Sequence, residues 1–116
     1  MNDALDVLSS AGDYWIVNWR LVQACGGFEE AVIVAYLSSM QNYWIERHQL
    51  DSDGMFFCTV NTMRQQTTIE ARKQRKVLKR LQGMGIITMK NKGIPAKRYL
   101  RVNADVLEDT LLALIE

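Results

Sequence analysis

The chain is poor in the residues that disulfide frameworks, metal centres and membrane spans require. It has two cysteines, Cys25 and Cys58, far from each other and from the single histidine, His48. Structural metal sites need three or four clustered ligands, so no metal is expected, and the two thiols are expected to be reduced and buried. No run of eighteen apolar residues occurs, so no segment reads as a membrane span. The N-terminal "MNDALDVLSS" is acidic and lacks the basic start and apolar centre of a signal peptide, and a cytoplasmic location is expected. There is no P-loop, no nucleophile with a partner base and no pair of carboxylates in a plausible cleft. Neither catalysis nor a cofactor is therefore expected.

What the chain does have is a core and an uneven charge. Hydrophobic residues make up 48% of its 116 residues, enough for one domain over 1–116. The formal net charge is only +1, yet residues 61–101 hold twelve Lys or Arg against one acid, Glu70. Residues 1–60 hold Arg20 and Arg47 against eight acids, and residues 102–116 hold four acids and no base. Solvated helix faces usually mix the two signs for local pairing. Here the mixing is absent, and like charges four apart (Arg72 with Lys76, Lys76 with Arg80) repel. That pattern belongs to a basic patch with a polyanionic partner.

Along the chain, residues 3–9 allow one or two helical turns and "YWIVN" (14–18) a short strand. "WRLVQAC" reads as a short helix stopped by Gly26 and Gly27, followed by a long central helix from Phe28 to about His48. "LDSDG" reads as a plain turn, since the later ligands of a calcium loop are missing. "MFFCTV" is a strand, "NTMRQQ" a short helix and "TT" a turn. A basic helix over about 70–83 follows, with Thr67 and Glu70 spaced as a capping box. Ala71, Gln74, Val77, Leu78 and Leu81 share one side of it, while Arg72, Lys76 and Lys79 point the other way, flanked by Lys73 and Arg80. "IITMK" and "KRYLRV" are two strands joined by "NKGIPA", and "ADVLEDTLLALIE" is a helix capped by Asn103.

Short helix, turn, basic amphipathic helix and hairpin form a winged helix-turn-helix, a mainly α fold with a small β-hairpin wing (α+β). Its core is expected over 14–103, with 104–116 as an added C-terminal helix. The second helix of such a unit fits the major groove of double-stranded DNA, and the wing reaches neighbouring phosphates. The stretch "TTIEARKQRKVLKRLQGMGIITMKNKGIPAKRYLRVN" (67–103) resembles the winged-helix domains of phage and plasmid replication-initiation proteins and related phage DNA-binding proteins. "WRLVQACGGFEEAVIVAYLSSM" and "GMFFCTVNTMRQQT" resemble their preceding helices and strand, so the likeness covers about 14–103. It implies a role in replication or regulation, with replication proteins as possible partners. Initiators of this kind usually carry a further domain.

The expected DNA contacts are Arg72, Lys73 and Lys76 in or beside the major groove, and Gln65, Gln66, Thr67 and Thr68 just before that helix. Lys79 and Arg80 are expected on phosphates, and Lys90, Lys92, Lys97 and Arg98 on the backbone from the wing. Gln74 is expected to be a core hydrogen-bonding residue, Arg75 a boundary residue, and Arg101 too close to the domain body for DNA. Trp15, Trp19 and Trp44 are assigned to core or interface, and His48 to the surface. Leu107, Leu111, Leu114 and Ile115 form a stripe that packs on the central helix or pairs with a second copy, giving a homodimer. Two other readings compete: a protein-interaction module, and single-strand binding. The latter calls for aromatics among the bases, where Tyr99 stands alone.

Overall fold

The computed structural model describes residues 15–115. The helix expected over 3–9 lies outside the described residues, as does Tyr14. Residues 15–18 carry no regular strand; instead Asn18 caps the first helix, its Oδ1 accepting from Leu21 N at 2.9 Å. A side chain that closes an orphan helical N–H competes directly with the strand that "YWIVN" suggests.

Eight elements follow: α1 (Trp19–Cys25), α2 (Phe28–Glu46), β1 (Phe56–Phe57), α3 (Val60–Thr67), α4 (Ala71–Gly83), β2 (Ile87–Lys92), β3 (Lys97–Val102) and α5 (Ala104–Ala113). α1 and α2 meet at 105° across Gly26–Gly27. Gly26 sits at φ 87, the left-handed region that ends helices, with its N–H on Val22 O. Substituting Gly26→Ala is expected to cost about 1 kcal/mol. The midpoint should fall by roughly 4–8 °C in thermal denaturation followed by circular dichroism. An unchanged midpoint would remove this turn as a determinant of the fold.

The core runs along α2, whose Ala31, Ile33, Val34, Tyr36 and Leu37 are buried. Met63 of α3, Val77, Leu78 and Leu81 of α4, and Phe56, Ile87, Leu100 and Val102 of the sheet close over it. α2 stops at Glu46, and His48 lies beyond it at φ 53. The sheet is antiparallel in the order β1-β3-β2. β3 is therefore its centre, and "MFFCTV" contributes only the two paired residues Phe56 and Phe57.

α3, the turn at Thr68 and α4 make the helix-turn-helix, and β2–β3 make the wing, so the molecule has an α+β fold of the winged-helix kind. Two expected caps form differently. Thr67 does not open α4: it ends α3, its hydroxyl donating to Met63 O at 2.7 Å and accepting from Ile69 N at 3.2 Å, while Glu70 takes the cap position of α4 without a side-chain bond. Asn103 precedes α5 without capping it by its side chain. Its Nδ2 donates to Gly85 O at 2.8 Å and its Oδ1 accepts from Arg101 Nε at 2.9 Å, which fastens the wing's base to the end of α4. Among the described residues no single helix is long and apolar enough to cross a membrane.

Candidate nucleic-acid interface

α4 is amphipathic because its apolar residues recur at helical spacing, and its buried side is Gln74, Val77, Leu78 and Leu81. The opposite row, Arg72, Lys76 and Lys79, is exposed, with Arg75 exposed on one flank. None of these four has a carboxylate within ion-pair distance among the described residues. The other flank meets the N-terminus of α2. There Lys73 Nζ lies 3.1 Å from Glu29 and Arg80 Nη1 3.7 Å from Glu30. Both Lys73 and Arg80 are about half exposed, so each pair contributes at most ~1 kcal/mol. Both cations thus remain within reach of a competing anion.

The turn before α4 carries the expected polar residues in two environments. Gln65, Gln66 and Thr68 are exposed beside the helix start, whereas Thr67 is buried with its hydroxyl engaged at both ends.

In the wing the four expected cations also separate. Lys90 and Lys97 are exposed. Lys92 Nζ is held at 2.7 Å by Asp51 and 2.6 Å by Asp53, whose loop is itself closed by Asp51 Oδ1 accepting from the N–H of Asp53 and of Met55. Arg98 turns inward. Its Nε donates to Cys58 O at 2.9 Å, and Nη1 and Nη2 lie 3.4 Å from Gln74 Oε1. Gln74, fully buried, donates from Nε2 to Val60 O at 3.0 Å and to Ile69 O at 2.8 Å. One side chain therefore joins α3, the turn, α4 and, through Arg98, the wing. Arg101 is likewise committed to the domain body, on Asp53 O and Asn103.

The lysine clamp sets its own pH window. The Lys92 ammonium holds the Asp51 and Asp53 carboxyls below the usual carboxylate value of 3.8, and the two carboxylates raise Lys92 above 10.5. A depressed carboxyl pKa stabilises above its unfolded value and loses that effect as pH falls through the folded one; the raised lysine does the reverse on the alkaline side. The clamp is therefore intact across the neutral range. Carboxyl NMR titration should place the Asp51 midpoint below 3.8 and return it towards that value in Lys92→Ala. An identical midpoint in the two proteins would mean that the contact is not formed.

Both thiols are free and buried. Burial, with Glu30 beside it, pushes Cys25 up to about 11, and burial also raises Cys58, whose Sγ lies 4.0 Å from the Tyr36 hydroxyl. No cluster of His, Cys, Asp or Glu among the described residues is arranged to hold a metal.

The register exposes a feature that local sequence reading missed. Phe56, Leu100, Val102 and Ile87 face the core, so the alternate residues Phe57, Tyr99, Lys90, Lys92 and Lys97 share the outer face of the sheet. Phe57, which is 44% exposed, pairs with Tyr99, their ring centroids 6.0 Å apart. Tyr99 is thus not the lone aromatic of the basic region. Only the strand pairing brings in Phe57, from a segment 42 residues earlier in the chain.

Trp15 and Trp44 pack partly buried against the core, while Trp19 is 63% exposed. α5 has no buried residue. Its Leu107 and Leu111, with Ile115, line an apolar groove of about 720 Å³ against α1, α2 and residues 15–18, and Leu114 is exposed.

No family model and no curated protein matches the chain. Among solved structures it is similar to one described as the N-terminal domain of a DNA-binding protein, with 16% identity and a TM-score of 0.63 over 88% of this chain and 83% of that one, a likeness of fold.

Proposed function

We propose that the chain is a single winged-helix domain that binds double-stranded DNA, with α4 in the major groove and the wing along the backbone. The observation that carries this is the outer row of α4: Arg72, Lys76 and Lys79 are exposed, spaced to repel one another, and free of carboxylate partners among the described residues. A helix bears that cost where a polyanion offsets it, and the major groove admits one helix. Arg72, near the start of α4, is the base reader, since guanidinium bonds bidentately to guanine. Lys76 and Lys79 take phosphates, with Lys73 and Arg80 exchanging Glu29 and Glu30 for them. Gln65, Gln66 and Thr68 flank the entry, and Lys90 and Lys97 supply the wing contacts. Thr67, Lys92 and Arg98 hold the interface in shape from behind. The solved structure of similar fold comes from a DNA-binding protein, which supports the same reading.

Affinity should come chiefly from phosphates. With about five neutralised, the slope of log K against log salt is roughly −4.5. Titrating the protein into a labelled random-sequence duplex at several salt concentrations tests this. No binding even at low salt would overturn the reading in favour of α4 as a protein-docking surface.

The resemblance of residues 67–103 to phage and plasmid initiators points to replication initiation or transcriptional control, in the cytoplasm and beside other replication proteins. We further propose a homodimer formed through α5 and the turn after it, because Leu112, Leu114 and Ile115 are 42–62% exposed beside an apolar groove. Sedimentation velocity should show a dimer that Leu112→Glu with Ile115→Glu converts to monomer. A wild-type monomer at all concentrations would remove it.

A further inference from the structure

We propose that the outer face of the sheet is a second nucleic-acid site, one that takes unpaired bases of single-stranded DNA. It shares Lys90 and Lys97 with the proposed wing contacts, but its aromatic residues Phe57 and Tyr99 have no part in the duplex reading, so they test it separately.

Two hollows flank Tyr99. One, of about 250 Å³, is walled by Trp44, Phe57 and Tyr99; the other, of about 300 Å³, by Lys92, Ile94, Lys97 and Tyr99; the Asp51 carboxylate, bound by Lys92, borders both. Each is at or below the low end of small-ligand pocket sizes and has room for one planar ring system. The aromatic walls come with cations already in place: Lys97 Nζ lies 5.2 Å from the Phe57 ring centroid and Lys92 Nζ 5.3 Å from that of Tyr99. Lys90 stands next to Tyr99 on the neighbouring strand. Lys97 and Lys90 are exposed, while Lys92 is anchored by Asp51 and Asp53 and stiffens the floor.

A third observation is independent of the charges. Trp44 lines the first hollow, and its indole N–H is buried with no hydrogen-bond partner among the described residues. Buried donors are nearly always satisfied, so this N–H is an unmet hydrogen bond in a residue that walls the hollow. Aromatic faces beside lysines are also the surface on which bases stack while phosphates are tracked. A duplex offers this face phosphates but no base planes, which selects the single strand.

The probe is a fluorescein-labelled oligothymidylate, read by anisotropy beside the random duplex, with a bromouracil-substituted copy for photocrosslinking. Stacking contributes about 1–3 kcal/mol per base. Phe57→Ala and Tyr99→Ala should each weaken oligothymidylate binding roughly 5- to 150-fold, with duplex affinity changed by less than about 3-fold. Crosslinks should map to Trp44, Phe57 or Tyr99. Phe57→Leu, at a position 44% exposed, keeps apolar bulk while removing the stacking face and should weaken oligothymidylate binding even where an alanine variant fails to fold. The proposal is overturned if the oligothymidylate does not bind while the duplex does. It is equally overturned if Phe57→Ala and Phe57→Leu leave its binding intact and Arg72→Glu, Lys76→Glu abolishes it. Failure of both probes to bind removes this site and the duplex reading together.

Discussion

Reversing charge in Arg72→Glu, Lys76→Glu should abolish duplex binding while leaving the protein as stable as before, or slightly more so. Both side chains are exposed on the row of α4 opposite Val77 and Leu81, and neither has an internal ion-pair partner among the described residues. Each lost contact removes about 1–3 kcal/mol, and each new carboxylate adds repulsion from phosphates. The affinity for a random duplex should therefore fall on the order of 100- to 10,000-fold, and the salt slope should flatten by about one, the share of Lys76. Stability should move the other way. Arg72 lies in the first turn of α4, where a carboxylate is favoured by the helix dipole. Glu at position 76 faces Arg80 four residues on, replacing a repulsion with an attraction of ~0.2–0.5 kcal/mol. Binding lost with stability kept or raised is the signature of charge held for a partner. A variant that loses binding only because its thermal midpoint collapses would show instead that these residues serve the fold.

α4 could be read in advance because its information is local: apolar residues at helical spacing on one side and cations on the other. The hairpin was legible for the same reason: "KRYLRV" emerges as β3 at its expected bounds, while β2 extends over Ile87–Lys92 and takes in Asn91 and Lys92, expected in the loop. The buried role of Gln74 followed from its place on the apolar side of that wheel. What failed was chemistry in which two local solutions compete. Thr67 and Glu70 have capping-box spacing, but the Thr67 hydroxyl finds Met63 O one turn back, and α3 claims the residue. Asn103 has a cap's position, but Gly85 O and Arg101 are better placed for its amide. What was invisible was anything set by long-range pairing. The Lys92 clamp joins residues 39 and 41 apart, and Arg98 reaches Cys58 across 40. A lysine or arginine in a wing looks the same in sequence whether it faces solvent or a carboxylate, so the charge count located the patch but not its free members.

A large loss of stability from a substitution that conserves volume is expected at Gln74. Its amide makes both donor bonds, to Val60 O and Ile69 O, and its carbonyl oxygen lies 3.4 Å from two nitrogens of Arg98, all with the side chain fully buried. Gln74→Leu is close in volume, so packing is nearly conserved and the effect isolates polarity. It leaves one backbone carbonyl in the turn without this partner, another in the first turn of α3, and a guanidinium facing hydrocarbon. Each unsatisfied buried group costs about 1–3 kcal/mol, and more when charged. A loss of about 3 kcal/mol follows, which lowers the thermal midpoint by roughly 10–20 °C for a chain of this size. Removing Arg98 as well should cost less than the two single losses together. Arg98→Ala takes away the charge that Gln74→Leu strands, and a coupling of ~0.5–2 kcal/mol is the expected range for residues sharing one network. The same change should reach the interface without touching it. Gln74 ties the turn before α4 to the wing through Arg98, so its loss frees the angle between the two elements that must meet one duplex. Urea denaturation of the single and double variants gives the coupling, and duplex titration well below the midpoint gives the positional effect. A Gln74→Leu protein melting within about 3 °C of wild type would mean that the amide network does not hold the helix-turn-helix to its wing.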